Sequence, residues 1–280
     1  MKKRRKLIIV LTSVILFFLI IGGCKSKRSV VKEMSPLINE YKKQPLWDYF
    51  NTKGSSLIVL NKAMYRLDNG DSISKGVVLK YYPSEKKAYG EYFENLYPKD
   101  KKVEDKLKDL PVILDGKAYR MENGKYVEDP NYQEEKLNED EKIIPIMFDS
   151  EGYHVQEGVE LTEEIKNFKF MLEEFEFSKE YLKQLKIKKS GYNFEVPNYS
   201  LSYEITKKNE DIKNYVKKKG LSKFGDGKEI EFTRDGNCYD GGRMKLDIKK
   251  NLNIYINESI RRNRDENSGN NYRALFLKEE

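Results

Sequence analysis

The feature that most constrains this chain is the two-residue alternation of its apolar side chains, because a period of two fits a pleated strand and not a helix. Ser56-Leu57-Ile58-Val59-Leu60 is a buried-strand run preceded by Gly54. Gly76–Tyr82 and Lys87–Phe93 flank the turn Pro83-Ser84-Glu85-Lys86, and both arms are rich in Val, Leu and Tyr, so a β-hairpin is expected there. Alternation returns at Tyr199/Leu201/Tyr203/Ile205, Ile230/Phe232, Met244/Leu246/Ile248 and Leu252/Ile254/Ile256.

Between these two groups the period becomes helical. Thr162 is the expected N-cap, Glu163 and Glu164 fill the first turn, and Ile165, Phe168, Leu172 and Phe175 share one face. A further helical turn is expected over Ser178–Leu185. Asn209 is expected to cap a short helix with Ile212, Tyr215 and Val216 inward and Gly220 ending it. The fold class is therefore α+β: an antiparallel sheet built from hairpins, with a few helices packed on one face. The domain is placed at 46–260, an alternative being two lobes, 46–160 and 161–260; residues 261–280 are polar and expected to be disordered.

One stretch is repeated. Leu110-Pro111-Val112-Ile113-Leu114-Asp115 through Tyr119 to Gly124 recurs 34 residues later as Ile144-Pro145-Ile146-Met147-Phe148-Asp149 through Tyr153 to Gly158. Asp115-Gly116 and Ser150-Glu151-Gly152 are turn signals, so each copy is expected to be strand-turn-strand, and two copies are too few for a solenoid. Glu128–Glu141, between them, holds seven carboxylates and one Lys and is expected to be a solvated loop, with a cation site as the alternative.

The N-terminus has a different origin. Lys2, Lys3, Arg4, Arg5 and Lys6 precede an uncharged apolar stretch, Leu7–Ile21, then Gly22, Gly23 and Cys24. A basic block, a short apolar region and small residues form an export signal, and the stretch is short of the ~20 residues of a spanning helix. Ile21-Gly22-Gly23-Cys24 resembles the lipobox of bacterial lipoproteins. That resemblance implies cleavage of the 1–23 signal peptide between Gly23 and Cys24, and lipidation of Cys24 by a diacylglycerol thioether. Residues 24–45 are then a tether with a short helical start. Lys25, Lys27 and Arg28 either lie against lipid headgroups or belong to a merely soluble linker.

Composition bears on function mainly through this signal. The chain has 53 Lys and Arg against 46 Asp and Glu, a net +7. Five basic and no acidic residues leave with residues 1–23, so 48 stand against 46, a surplus of +2. That balance removes the electrostatic footprint expected of a nucleic-acid binder. Once Cys24 is acylated, Cys238 is the only thiol, and His154 is the only histidine. No catalytic residues, metal ligands or cofactor motif are assigned: Asp235–Gly242 superficially resembles a Ca²⁺ loop, but Tyr239 and Asp240 occupy positions that need Asp or Asn and Gly. The 20 tyrosines are expected either to fill the core or to line an aromatic binding face.

The hairpin Ser74–Tyr82 with Ala88–Phe93, Glu164–Phe170, Val196–Ser200 and Glu229–Phe232 together resemble, in order and spacing, the tandem-type lipoprotein family of staphylococci. The likeness runs from the lipobox to about residue 257. It implies a diacylated protein on the outer face of a cell membrane, without enzymatic activity or cofactor, that interacts with host cells and stimulates innate immunity through its lipid. Cys24 is the one functional residue that carries over. The 98–142 region and the Asn-rich tail depart from the family pattern. The other reading is a solute-binding or enzymatic envelope lipoprotein acting on a small molecule.

Overall fold

A computed structural model describes residues 26–53, 55–98, 112–114, 117–122, 125–128, 141–193, 198–206, 209–219, 221, 229–235, 243–251, 254–262 and 271–277. Its frame is one antiparallel sheet of ten strands in the order β8-β7-β3-β2-β1-β13-β12-β11-β10-β9. The N-terminal half supplies β1 (Leu57–Arg66), β2 (Ser72–Tyr82), β3 (Lys87–Tyr97), β7 (Glu141–Asp149) and β8 (Gly152–Val155). The C-terminal half supplies β9 (Lys186–Asn193), β10 (Asn198–Glu204), β11 (Glu229–Asp235), β12 (Arg243–Asn251) and β13 (Ile254–Arg262). β1 pairs with β13, Val59 opposite Ile260, so residues from both sides of position 160 lie in one continuous sheet.

The expected hairpin is β2–β3, with Tyr82 opposite Lys87 and Lys86 taking the left-handed conformation (φ 52°) that closes the turn. Both repeat copies are strand-turn-strand, but in different settings. β7–β8 is part of the main sheet, whereas β4 (Val112–Leu114), β5 (Lys117–Glu122) and β6 (Lys125–Glu128) make a separate three-stranded sheet. Their registers also differ: Leu114 faces Lys117, while the matching Phe148 faces Tyr153. The connection 129–140 lies outside the described residues.

Alternation sorts the sheet into two faces. Leu57, Val59, Val77, Leu79, Leu246, Ile248, Ile256 and Ile260 point to the main core, with Val78, Tyr82 and Tyr89 on the other face. Over the core face lie α1 (Lys27–Ile38), α2 (Leu46–Lys53), α3 (Glu163–Lys166), α4 (Met171–Glu174), α5 (Lys179–Lys183) and α6 (Glu210–Lys218). Tyrosine largely fills this core: Tyr41, Tyr49, Tyr81, Tyr92, Tyr203 and Tyr215 are all buried there.

Three expectations need correction. The helical start expected within 24–45 is present but is longer than a tether allows and packed into the core: α1 is capped by Ser26 and buries Val30, Met34, Leu37 and Ile38, because i, i+4, i+7 spacing gives it an apolar stripe. The tail is not wholly without structure, since α7 (Tyr272–Leu277) docks on the second sheet face and buries Tyr272 beside Val78, Tyr82 and Tyr89. Helices therefore do not all share one face.

Third, the helix expected over 162–175 is two single turns. Thr162 caps the first as expected, accepting from Ile165 N at 3.4 Å. The Asn167 side chain then donates to Glu163 O, Phe170 turns extended (ψ 159°), and Glu173 Oε2 accepts from Phe170 N. These side-chain bonds compete with the helical ladder and restart it. β9 shows little apolar alternation because it is an edge: it pairs only with β10 and carries exposed Lys186, Lys188 and Lys189.

Since α7 touches only this second face, truncation after residue 270 is expected to leave the fold intact. Exposing Val78, Tyr82 and Tyr89, which Tyr272 covers, costs about 2 kcal/mol at the area scale of burial. Urea unfolding of the truncated chain checks this; a loss of cooperativity would show that α7 belongs to the core.

Candidate functional site

The two layers do not close completely. Between β1–β3 and the α3–α4–α6 layer lies a cleft of about 630 Å³, walled by Tyr92, Phe168 and Tyr215 and rimmed by Lys75, Glu164 and Lys218. Alternation explains the sheet side, since Asn61, Ala63 and Lys75 occupy core-facing positions where the overlying helical turns stop short. Two ion pairs tie the rims. Lys75 Nζ on β2 meets Glu164 Oε1 on α3 at 2.6 Å, and Lys218 Nζ on α6 meets Glu174 Oε2 on α4 at 3.1 Å. Both are partly exposed, so each contributes well under about 1 kcal/mol, and their effect is to place the rims rather than to stabilise the fold.

Below the cleft is a buried polar cluster. Glu258, on β13 and fully buried, accepts from Asn61 Nδ2 (2.8 Å), from Met171 N and, through its other oxygen, from Leu172 N (3.0 Å). Asn61 Nδ2 also lies 3.1 Å from the Tyr215 hydroxyl. The interruption of the helix at 167–170 has a purpose in this arrangement: it frees the first amides of α4 to meet the carboxylate. Burial pushes Glu258 up to about 7, against the opposing pull of Asn61, the two amides and Lys219.

Lys219 is the matching cation. Its Nζ donates to Lys169 O at 2.8 Å and sits over the Phe168 ring, 3.5 Å from the centroid. Burial lowers it to about 8, opposed by Glu258 and by Glu173, Glu164 and Glu174 around the cleft. Two groups shifted toward each other beside a cleft mark a candidate site. Yet both Glu258 oxygens are taken up by internal donors, so the cluster fixes the cleft floor and offers the cleft no free carboxylate base. The cleft can receive a small ligand against the edge of Phe168, bearing polar groups that reach the rim charges; Tyr92 and Tyr215 back it as buried walls, and Lys219 covers one face of Phe168.

His154 lies elsewhere, at the β7–β8 turn, where its Nε2 is 2.9 Å from Asp149 Oδ1. Burial would raise Asp149, but the Glu151 N–H and His154 hold it below its usual range. This histidine closes a hairpin and does not reach the cleft lining. Gly23, Cys24 and Cys238, with its Asp235–Gly242 loop, fall outside the described residues apart from Asp235. Among the described residues no cluster of three or more His, Cys, Asp or Glu side chains is arranged to hold a metal ion. No described helix is long and apolar enough to cross a membrane.

Sequence reasoning found neither Glu258 nor Asn61. The signal was present in the strand period: Ile256-x-Glu258-x-Ile260 and Val59-x-Asn61-x-Ala63 each place one polar residue in an inward-facing series. No curated protein matches this chain. The family model described as the Csa1 family matches residues 116–265, from just ahead of β5 through β13 and more than half of the sequence, and the chain belongs to that family.

Proposed function

We propose that this protein is a membrane-anchored surface lipoprotein, held by a diacylglyceryl group on Cys24 at the extracytoplasmic face, and that its folded domain acts by binding. The partner is a host-cell or envelope protein, and the lipid itself provides a separate, immune-stimulating signal. The observation that carries the reading is the lipobox Ile21–Cys24, placed three residues ahead of a helix that is built into the domain core, in a chain of the Csa1 family. Two acyl chains suffice for lasting attachment where one does not.

Photo-crosslinking with soluble residues 25–280, followed by capture from host-cell and envelope extracts, tests the binding role. The expected result is a saturable, competable partner; recovery of none from either extract counts against it.

The cleft favours a second reading, a lipoprotein that binds a small envelope solute between the sheet and α3–α6. Saturable quenching of Trp47 or tyrosine fluorescence by such a solute, abolished in Tyr92→Ala, distinguishes this from a protein partner.

A further inference from the structure

We infer that the anchored domain stands edge-on, with β9 and the start of α1 against an anionic lipid surface and the opposite end of the sheet, β7–β8, farthest from it. The inference rests on the Cys24 anchor and follows from where α1 begins. Only Lys25 and Ser26 separate Cys24 from Lys27, the first residue of α1, and three peptide links span at most ~10 Å. Val30, Met34, Leu37 and Ile38 fix that helix to the body, so its first turn, to which the anchor is joined, holds a set place on the sheet.

The path of α1 shows which edge this is. Glu33 lies over β11, its carbonyl accepting from Arg234 Nη1 at 2.7 Å, and Glu40, just beyond the helix, lies over β13, paired with Arg262 at 3.3 Å. Seven residues at a rise of ~1.5 Å match two strand spacings of ~4.8 Å, so the helix crosses the strands one after another. Continuing back six residues from Glu33 covers two more spacings and puts Lys27 over β9, and α1 packs on β9, β10 and β11 accordingly. Lys27, Arg28 and Lys32 on α1 and Lys186, Lys188 and Lys189 on β9 are exposed on this side of the sheet, and with Lys186 paired to Glu204 and Lys188 to Glu229 a positive surplus remains. A basic margin beside the lipid is attracted by anionic headgroups, at short range because salt screens it. From β9 to β8 there are nine strand spacings, about 43 Å along the sheet. The β7–β8 hairpin, which is the second repeat copy, is thereby held outward, with the cleft on β1–β3 in between.

The test uses the full acylated chain with Cys238→Ser, reconstituted in phosphatidylcholine–phosphatidylglycerol vesicles carrying a nitroxide on the headgroup. A single fluorophore is placed through Lys189→Cys on β9 or Glu151→Cys in the β7–β8 turn, both exposed. The expected result is quenching at least fivefold stronger at position 189 than at 151, with the gradient reduced by Lys27→Glu/Arg28→Glu/Lys32→Glu while the protein still floats with the vesicles. Equal quenching at both sites, or stronger quenching at 151, overturns the edge-on orientation and leaves the anchor standing. A protein that does not float with vesicles overturns the anchor and the orientation together.

Discussion

Glu258→Leu is expected to lower the thermal midpoint by about 10 °C. The substitution keeps the volume and the buried position on β13, but removes the acceptor shared by Asn61 Nδ2, Met171 N and Leu172 N. It also leaves Lys219, whose charge lies within the reach of Glu258, without its principal counter-charge. Breaking one side of a buried, hydrogen-bonded charge cluster costs about 3–5 kcal/mol. For a domain of this size each kcal/mol moves the midpoint by about 2–4 °C. Calorimetry checks the figure; a shift within about 2 °C would show that the three donors find other acceptors.

Glu258 also sets a pH signature. Its folded value, about 7, lies above the 4.5 of an ordinary glutamate. Between those values the folded chain keeps a proton that the unfolded chain has released, so stability falls as pH rises from about 4.5 to 7 and levels off above that. Lys219 adds no slope in this window, because it is charged in both states below about 8. From about 8 to 10.5 its lowered value makes the unfolded chain the better proton binder, so that group's contribution rises with pH. The Glu258 component corresponds to roughly 3 kcal/mol at ~1.4 kcal/mol per pH unit. Urea midpoints measured from pH 4.5 to 7.5 should decline in the natural protein, and that decline should be reduced by this amount in Glu258→Gln. Parallel profiles for the two would remove Glu258 as its source.

Gly90→Ala is the second large effect, and here the cause is backbone. Gly90 on β3 faces Leu79 on β2, and a Cβ at position 90 falls 1.8 Å from Val78 O and 2.8 Å from Val78 C. Neither atom is the end of a flexible side chain, so relief requires parting β2 from β3 near the middle of the sheet. More than about 4 kcal/mol is expected, the range that single substitutions reach only through such specific mechanisms. Gly158→Ala is the control: its φ of +81° makes alanine strained, but nothing lies within 4 Å of the new Cβ. About 1 kcal/mol is expected there. Near-UV circular dichroism should therefore report loss of fixed packing for Gly90→Ala alone; a cooperative, native-like Gly90→Ala would mean that the two strands sit farther apart.

Period two was enough to locate most strands, because one buried face imposes it on each. β9 escaped because an edge strand buries little on either side, and Lys186-Ile187-Lys188-Lys189 consequently shows no run of inward positions. The short helix capped near Thr162 was legible from Thr162, Glu163 and Glu164, but its interruption was not. Ile165, Phe168, Leu172 and Phe175 keep one apolar face whether or not the ladder runs unbroken, while Asn167, Glu173 and above all Glu258, 87 residues beyond Met171, decide the outcome. α1 was misjudged for a related reason. Its stripe Val30, Met34, Leu37, Ile38 is only two and a half turns long, and Pro36 inside the helix interrupts the sequence pattern that would mark it. The cleft itself was out of reach, since Asn61, Tyr92, Phe168, Tyr215 and Lys219 come together only through the β1–β3 pairing and the packing of α6 over it.

The anchor on which the proposed role depends is a single thiol, and metabolic labelling with a clickable palmitate analogue, followed by membrane fractionation, tests it most directly. The account predicts a labelled chain that sediments with membranes, and an unlabelled Cys24→Ala chain that keeps its unprocessed signal. Label persisting on Cys24→Ala would contradict it.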